Sequence, residues 1–247
     1  MATITILGGG VGGLVTAREL RKRLGKEHEI VLVDRESRHV FSPSFLWLMV
    51  GKRRPEQVWS DLSRVSRKGI EVVQGDVTSI DPGTRAVTVE DRTIESDYLV
   101  VSLGADLAPK LVPGLADAGH NLYTLEGATA IRNTRSKLVN GRLVVLVTSM
   151  PFKCPAAPYE AAMLLGDDLQ KRGVRDNVSV TVFSPEPGPM GVTGPENSAA
   201  VRAMVEIRGI EYQPQHRIES VDPRLERCIS TTGVVAYPRL TRVFRAR

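Results

Sequence analysis

The stretch Thr3-Ile4-Thr5-Ile6-Leu7-Gly8-Gly9-Gly10-Val11-Gly12-Gly13 decides how the rest of the chain is read. Its first five residues form a short apolar strand, and a glycine-rich turn comes next. Leu14, Ala17, Leu20 and Leu24 then recur at helical spacing, Gly25 stands where a helix would stop, and Glu29 to Val33 is a second apolar strand. A crossover this short between two apolar strands implies a parallel sheet. The turn fits G-x-G-x-x-G. Gly8 permits the tight bend, Gly10 lets a pyrophosphate approach the backbone, and Gly13 lets helix and strand pack closely. Gly12 lies in the first turn of the helix, whose free N–H groups face anionic phosphates. Asp34 ends the second strand 21 residues beyond Gly13. A carboxylate there accepts hydrogen bonds from a ribose diol and repels a 2′-phosphate, with Arg35 beside it.

FAD and NAD both satisfy that fingerprint, so the residues beyond Arg35 have to separate them. From Gly69 the texture becomes a series of short strands, Gly69 to Gln74, Arg85 to Glu90 and Tyr98 to Ser102, punctuated by Asp81-Pro82-Gly83 and Glu90-Asp91 as turns. Tyr98-Leu-Val-Val-Ser-Leu-Gly104-Ala resembles the short segment by which flavoproteins of the glutathione-reductase type close around FAD. Gly75-Asp76-Val77 falls where those proteins turn backbone atoms toward the adenine. Together and in order, Val77 and Gly104 favour FAD.

A second α/β region begins near Arg142. Leu143 to Val147 reads as a buried strand, Tyr159 to Lys171 as a helix, Val178 to Phe183 as a strand and Glu196 to Ile207 as a helix with Pro195 suited to its first turn. The first of these strands runs into Thr148-Ser-Met-Pro-Phe-Lys-Cys154-Pro-Ala-Ala-Pro-Tyr-Glu160 in place of a second glycine motif. Prolines there crowd a pyrophosphate and remove N–H donors, which disfavours NAD. Cys154 precedes a helix whose positive end, with Lys153, favours a thiolate. Chemistry alone leaves two readings of it open, a reactive thiol and a buried inert one.

Bulk properties narrow the function classes. The hydrophobic share of 42% and charged share of 25% are those of a soluble globular protein. Of the 33 basic and 28 acidic residues, six arginines and one acid fall in residues 224–247, so the remainder carries 27 of each. A neutral body offers no extended phosphate-neutralising face, and nucleic acid is not expected as a partner. Two cysteines, Cys154 and Cys228, exclude a zinc ribbon, and the four scattered histidines lack metal-ligand spacing. Met1-Ala2-Thr3 runs straight into a strand without a secretory signal, and the apolar stretch Phe41 to Val50 is too short to span a bilayer, reading as a buried or interfacial loop. Cytoplasmic placement is the default.

The run Phe152-Lys-Cys-Pro-x-x-Pro-Tyr-Glu160 resembles the flavoprotein subunit of flavocytochrome c sulfide dehydrogenases and, more loosely, sulfide:quinone oxidoreductases. The resemblance covers about residues 1–223 and includes Phe41 to Glu56. It implies that Cys154 lies beside the flavin and carries sulfur, that Pro43 and its neighbours line the flavin pocket, and that Gly8, Gly10, Gly13 and Asp34 hold FAD. It further implies a small sulfur substrate, a quinone or cytochrome as electron acceptor, and peripheral association with the inner face of the membrane in a longer form. The family also has a second matching cysteine, a later Gly-Asp flavin segment and C-terminal acceptor segments, none of which this sequence shows.

The resulting expectation is an α/β protein of tandem Rossmann-like dinucleotide-binding folds, glutathione-reductase-like and C-terminally incomplete. Residues 1–110 form an FAD-binding domain, 111–223 a second dinucleotide-type domain, and 224–247 an atypical arginine-rich tail without apolar period. The expected function is FAD-dependent oxidation of sulfide or a related sulfur species. The alternatives are a relative of type II NADH dehydrogenases or ferredoxin reductases, and a truncated, non-catalytic FAD-binding remnant.

Overall fold

In the computed structural model the opening apolar run is strand β1 (Thr3–Leu7), continuing into helix α1 (Val11–Arg23) and strand β2 (Glu29–Asp34). Residues 1–222, 227–230, 233–236 and 240–246 are described, and the chain divides into two units, Met1–Phe41 with Glu56–Asp106 and Ser42–Pro55 with Leu107–Arg247.

The first unit adds β3 (Arg38–Val40), β4 (Trp59–Asp61), β5 (Glu71–Gln74), β6 (Val77–Asp81), β7 (Ala86–Val89), β8 (Arg92–Ile94) and β9 (Tyr98–Val101). Its main sheet is parallel, in the order β5-β2-β1-β9. Period-2 alternation divides the strands between two faces. Ile4, Ile6, Ile30 and Leu32 pack with Ala17 of α1, while Leu7, Val31 and Val33 pack with Val87, Val89 and Ile94 of the antiparallel meander β6-β7-β8. Thr5, fully buried among these, is satisfied by the Ser96 hydroxyl at 2.6 Å. The meander's first turn is set by Asp81, whose carboxylate accepts the Gly83 N–H at 2.8 Å.

The second unit contains α2 (Phe45–Met49), α3 (Leu115–Ala118), β10 (Gly119–Asn121), α4 (Leu125–Arg135), β11 (Gly141–Val147), α5 (Ala157–Lys171), β12 (Val178–Phe183), α6 (Pro195–Glu206) and β13 (Ile210–Gln213). An antiparallel excursion, β14 (Ile218–Asp222), β15 (Arg227–Ser230) and β16 (Gly233–Ala236), precedes β17 (Leu240–Ala246). The parallel sheet runs β10-β17-β11-β12-β13. Tyr159, Ala162, Leu165 and Leu169 of α5 bury a helical stripe against Val145, Val147, Val180 and Val182. α4 is started by Thr124, whose hydroxyl accepts the Gly127 N–H at 3.0 Å. A Cβ at Gly127 would lie 1.8 Å from the Asn121 carbonyl oxygen, so only glycine fits this corner.

Three expectations are corrected. Phe41 to Val50 is not a loop throughout, because α2 forms within it. Leu46, Met49 and Val50 join the core built by Leu122, Ile131 and Tyr159, which places Ser42–Pro55 in the second unit rather than in the first domain. Residues 224–247 are not an irregular tail. β15 and β16 form a meander with β14, and β17 inserts between β10 and β11 as an interior strand. Arg224, Glu226, Arg239 and Arg247 of that segment lie outside the described residues. Among the described residues no helix is long and apolar enough to cross a membrane.

Candidate functional site

The first unit holds a cavity of ≈ 580 Å³ at the C-terminal ends of its parallel strands, where an open α/β sheet binds its ligands. Gly8, Gly10, Val11 and Gly12 form one wall, Asp34, Arg35 and Glu36 a second, Gly75, Asp76 and Val77 a third, and Ser102 to Gly104 close it.

The glycines are needed for different reasons. Gly8 has φ +98°, and a Cβ there would sit 2.4 Å from the Ser102 carbonyl oxygen. A Cβ at Gly13 would sit 1.8 Å from the Gly8 carbonyl oxygen, so helix and turn approach as closely as backbones can. Gly10 differs. It has extended backbone (φ −70°, ψ −172°), and a Cβ built on it meets nothing within 4 Å. The protein's own packing leaves that space free, and it faces the cavity at the start of α1. The helix begins there without a capping side chain and with no acid in its first turn, which leaves its positive end available to an anion.

Asp34 is braced at the end of β2. Its Oδ2 accepts the Gly9 N–H at 2.5 Å and its Oδ1 the Glu36 N–H at 2.8 Å. Each carboxylate oxygen has two lone pairs, so acceptor capacity toward a diol remains. The carbonyl of Asp34 accepts the Gly75 N–H at 3.0 Å, which ties the turn before β6 to the same strand. Arg35 reaches Asp106 at 3.9 Å, an exposed pair of little energetic weight.

Seven of the ten expected site residues, Gly8, Gly10, Gly12, Asp34, Arg35, Val77 and Gly104, line this cavity, and Gly13 packs beneath it. Pro43 and Cys154 belong to the second unit. Pro43 is exposed in a short turn, Ser42–Ser44, ahead of α2. Cys154 is exposed, in left-handed backbone at φ +50°, and its carbonyl accepts the Ala157 N–H at 3.0 Å as α5 begins. The thiol is therefore not buried. The Tyr123 hydroxyl donates to the Lys153 carbonyl. Burial, and secondarily a charge on Cys154, push the Tyr123 phenol above its usual range. The sequence reading missed Ser102, whose hydroxyl donates to the Leu7 carbonyl at 2.8 Å and pins β9 to β1, and His39, whose Nδ1 lies 3.0 Å from the Gly9 carbonyl oxygen. Ser102 stood inside the quoted Tyr98-to-Ala105 segment; nothing in the pattern marked His39.

The comparisons with known proteins agree with this geometry. The chain is 31% identical over 229 residues to the sulfide-quinone reductase of Aquifex aeolicus (strain VF5), covering 89% of this chain and 52% of that one. It is 29% identical to the mitochondrial sulfide:quinone oxidoreductase of Dictyostelium discoideum, over 88% of this chain and 49% of the relative. Another relative, the alternative NAD(P)H-ubiquinone oxidoreductase C1 of Arabidopsis thaliana, is 30% identical over 72% of this chain and 38% of its own. The crystal structure of the Aquifex aeolicus sulfide:quinone oxidoreductase superposes with a TM-score of 0.89 at 27% identity, covering all of this chain and 58% of that one. The chain thus spans about half the length of the curated relatives it matches. Residues 2–236 match the pyridine nucleotide-disulphide oxidoreductase family, so the match runs beyond residue 223 and through β16. With a glycine turn, a carboxylate closing β2 and two units built on parallel sheets, the chain belongs to the pyridine nucleotide-disulphide oxidoreductase family.

Proposed function

We propose that this chain binds FAD through its first unit and belongs to an enzyme that oxidises sulfide, or a related sulfur species, and reduces a quinone. Gly10 leaves room for the pyrophosphate, Asp34 takes the adenosine ribose, and Val77 and Gly104 lie on the adenine side and the flavin side of the cavity. The observation that carries the sulfur chemistry is Cys154. It is an exposed thiol in a left-handed turn directly before α5, in the position where a nucleotide-binding fold has its glycine turn. HS⁻ and the Cys154 thiol together yield a persulfide, releasing one proton and two electrons. When bound, a flavin would supply the two-electron acceptor; a quinone would take the two electrons with two protons, one of them from solvent, and transfer of the outer sulfur to a second HS⁻, giving HSS⁻, would return Cys154 to the thiol. The quinone reading is preferred to a cytochrome because the relatives above are named for quinones.

A lipid-soluble acceptor favours peripheral contact with the cytoplasmic face of a membrane. Trp47 is 45% exposed, the Arg53 guanidinium lies 5.4 Å from its ring centre, and Lys52 is exposed beside it. An amphipathic ring flanked by cations suits an anionic lipid surface.

The alternative donor, NADH, is disfavoured by Pro151, Pro155 and Pro158 in the β11–α5 connection. Anaerobic mixing of the flavin-loaded protein with sulfide or with NADH tests the assignment. Bleaching of the flavin by sulfide and not by NADH is expected. Comparable bleaching by NADH, or none by sulfide, would reject it.

A further inference from the structure

The two units repeat one plan: strand, connection, helix, strand, then an acid. In the first unit that acid is Asp34, facing the open cavity. In the second it is Glu186, three residues past β12 and at the same C-terminal edge of the sheet, where a second dinucleotide would present its ribose diol. Glu186 is only 4% exposed. Its Oε2 accepts the Tyr159 hydroxyl at 2.6 Å and the Ser184 hydroxyl at 3.3 Å, and its Oε1 accepts the Gly191 N–H at 3.3 Å. Tyr159 is itself 1% exposed and is held edge-to-face against Tyr212, with ring centres 5.9 Å apart. A carboxylate this deeply buried is tolerated because hydrogen bonds replace its water, and here those bonds come from the protein.

We infer that Tyr159 and Glu186 form a lock that closes the second dinucleotide-type fold to nicotinamide dinucleotides. Tyr159, on the first turn of α5, fills the space beside the acid and occupies the oxygen a ribose hydroxyl would need. The lock is separate from the proline-rich connection. The prolines act on the pyrophosphate, whereas the Tyr159–Glu186 pair acts on the ribose. In the functional reading above, which this inference deepens, the lock leaves electron entry to the sulfur side.

The test is equilibrium titration of the FAD-loaded chain with NADH, monitored by nicotinamide fluorescence. The wild type should show no saturation up to about 1 mM. Tyr159→Ala, with folding checked by near-ultraviolet circular dichroism, should gain about tenfold or more in NADH affinity. Adding Glu186→Gln should abolish the gain, because the amide no longer offers a carboxylate to the diol. Tyr159→Val, which keeps more of the packing, is carried in parallel in case the alanine variant does not fold. Tight NADH binding by the wild type overturns the lock, and so does the absence of any gain in folded Tyr159 variants. Sulfide bleaching of the wild-type flavin is recorded on the same preparation, so a failed lock and a failed sulfur assignment are read separately.

Discussion

Replacing Gly10 separates ligand demand from fold demand. The backbone at Gly10 is extended, so any residue adopts it without strain, and the added Cβ meets nothing within 4 Å. Gly10→Val should therefore change the stability of the flavin-free protein by no more than about 0.5 kcal/mol, as for a surface substitution. The same side chain fills the space through which a pyrophosphate reaches the first turn of α1. Losing about two charge-assisted hydrogen bonds, each worth about 1.5–3 kcal/mol, weakens FAD binding by about 3–6 kcal/mol. That is a loss of about 10²–10⁴ in Kd. The controls behave oppositely. Gly8→Ala combines φ +98° with a 2.4 Å clash on the Ser102 carbonyl oxygen, and Gly13→Ala drives a methyl to 1.8 Å from the Gly8 carbonyl oxygen, so both lose stability before flavin is added. The assay is quenching of FAD fluorescence on titration, alongside the thermal midpoint of the flavin-free protein. Two results would refute the reasoning: wild-type FAD affinity in Gly10→Val, or a fall in its flavin-free midpoint as large as that of Gly8→Ala.

Asp34→Ala should weaken FAD binding by about 1–3 kcal/mol, the range for a hydrogen bond to a charged group, and unchanged affinity in the same titration would remove Asp34 from the ribose. Cys154→Ser should keep the flavin spectrum and abolish bleaching by sulfide; bleaching at the wild-type rate would place the sulfur chemistry elsewhere. Tyr159 is raised well above its ordinary phenol range by burial, with the hydrogen bond to Glu186 adding to it. A raised folded-state pKa means full stability below the unfolded value of about 10 and a loss above it, so denaturant midpoints should fall as pH rises above about 10, less steeply in Tyr159→Phe. Trp47→Ser combined with Lys52→Glu should reduce cosedimentation with anionic vesicles, and equal cosedimentation would dismiss that surface as a lipid contact.

The first unit was legible because each of its signals is local. The glycines lie within six residues of one another, α1 has a single apolar stripe, and Asp34 ends an uninterrupted apolar strand. The second unit's strands β11 and β12 were equally plain: β11 is apolar on both faces, as an interior parallel strand tends to be, and β12 alternates valine with Ser179 and Thr181. What escaped was set by distant partners. α2 is five residues long, too short to show a period, and its placement depends on Leu46 and Met49 meeting a core more than seventy residues away. β17 carries Arg242 and Arg245 between apolar residues, which in sequence resembles a charged end. It becomes a strand through pairing with β10 and β11, and no local pattern encodes that pairing. Glu186 stands in the proline- and glycine-rich stretch between β12 and α6, and only the approach of Tyr159 from α5 reveals its burial.

On the proposed reading, one supersecondary plan used twice carries two chemistries set by a few side chains. In the first unit Gly8 and Gly13 bring backbone close to backbone, whereas Gly10 leaves a space that the fold itself does not require. A space maintained at no benefit to packing points to a ligand. In the second unit the corresponding turn is filled with three prolines and Cys154, and the acid beyond the second strand is committed to Tyr159 and Ser184. With both the pyrophosphate and the ribose positions filled, the Cys154 thiol stands exposed in that connection. On the proposed reading, sulfur chemistry in place of hydride transfer follows from that exchange. If NADH bleached the flavin of the wild-type protein while Cys154→Ser left the rate unchanged, both halves of the exchange would be wrong together.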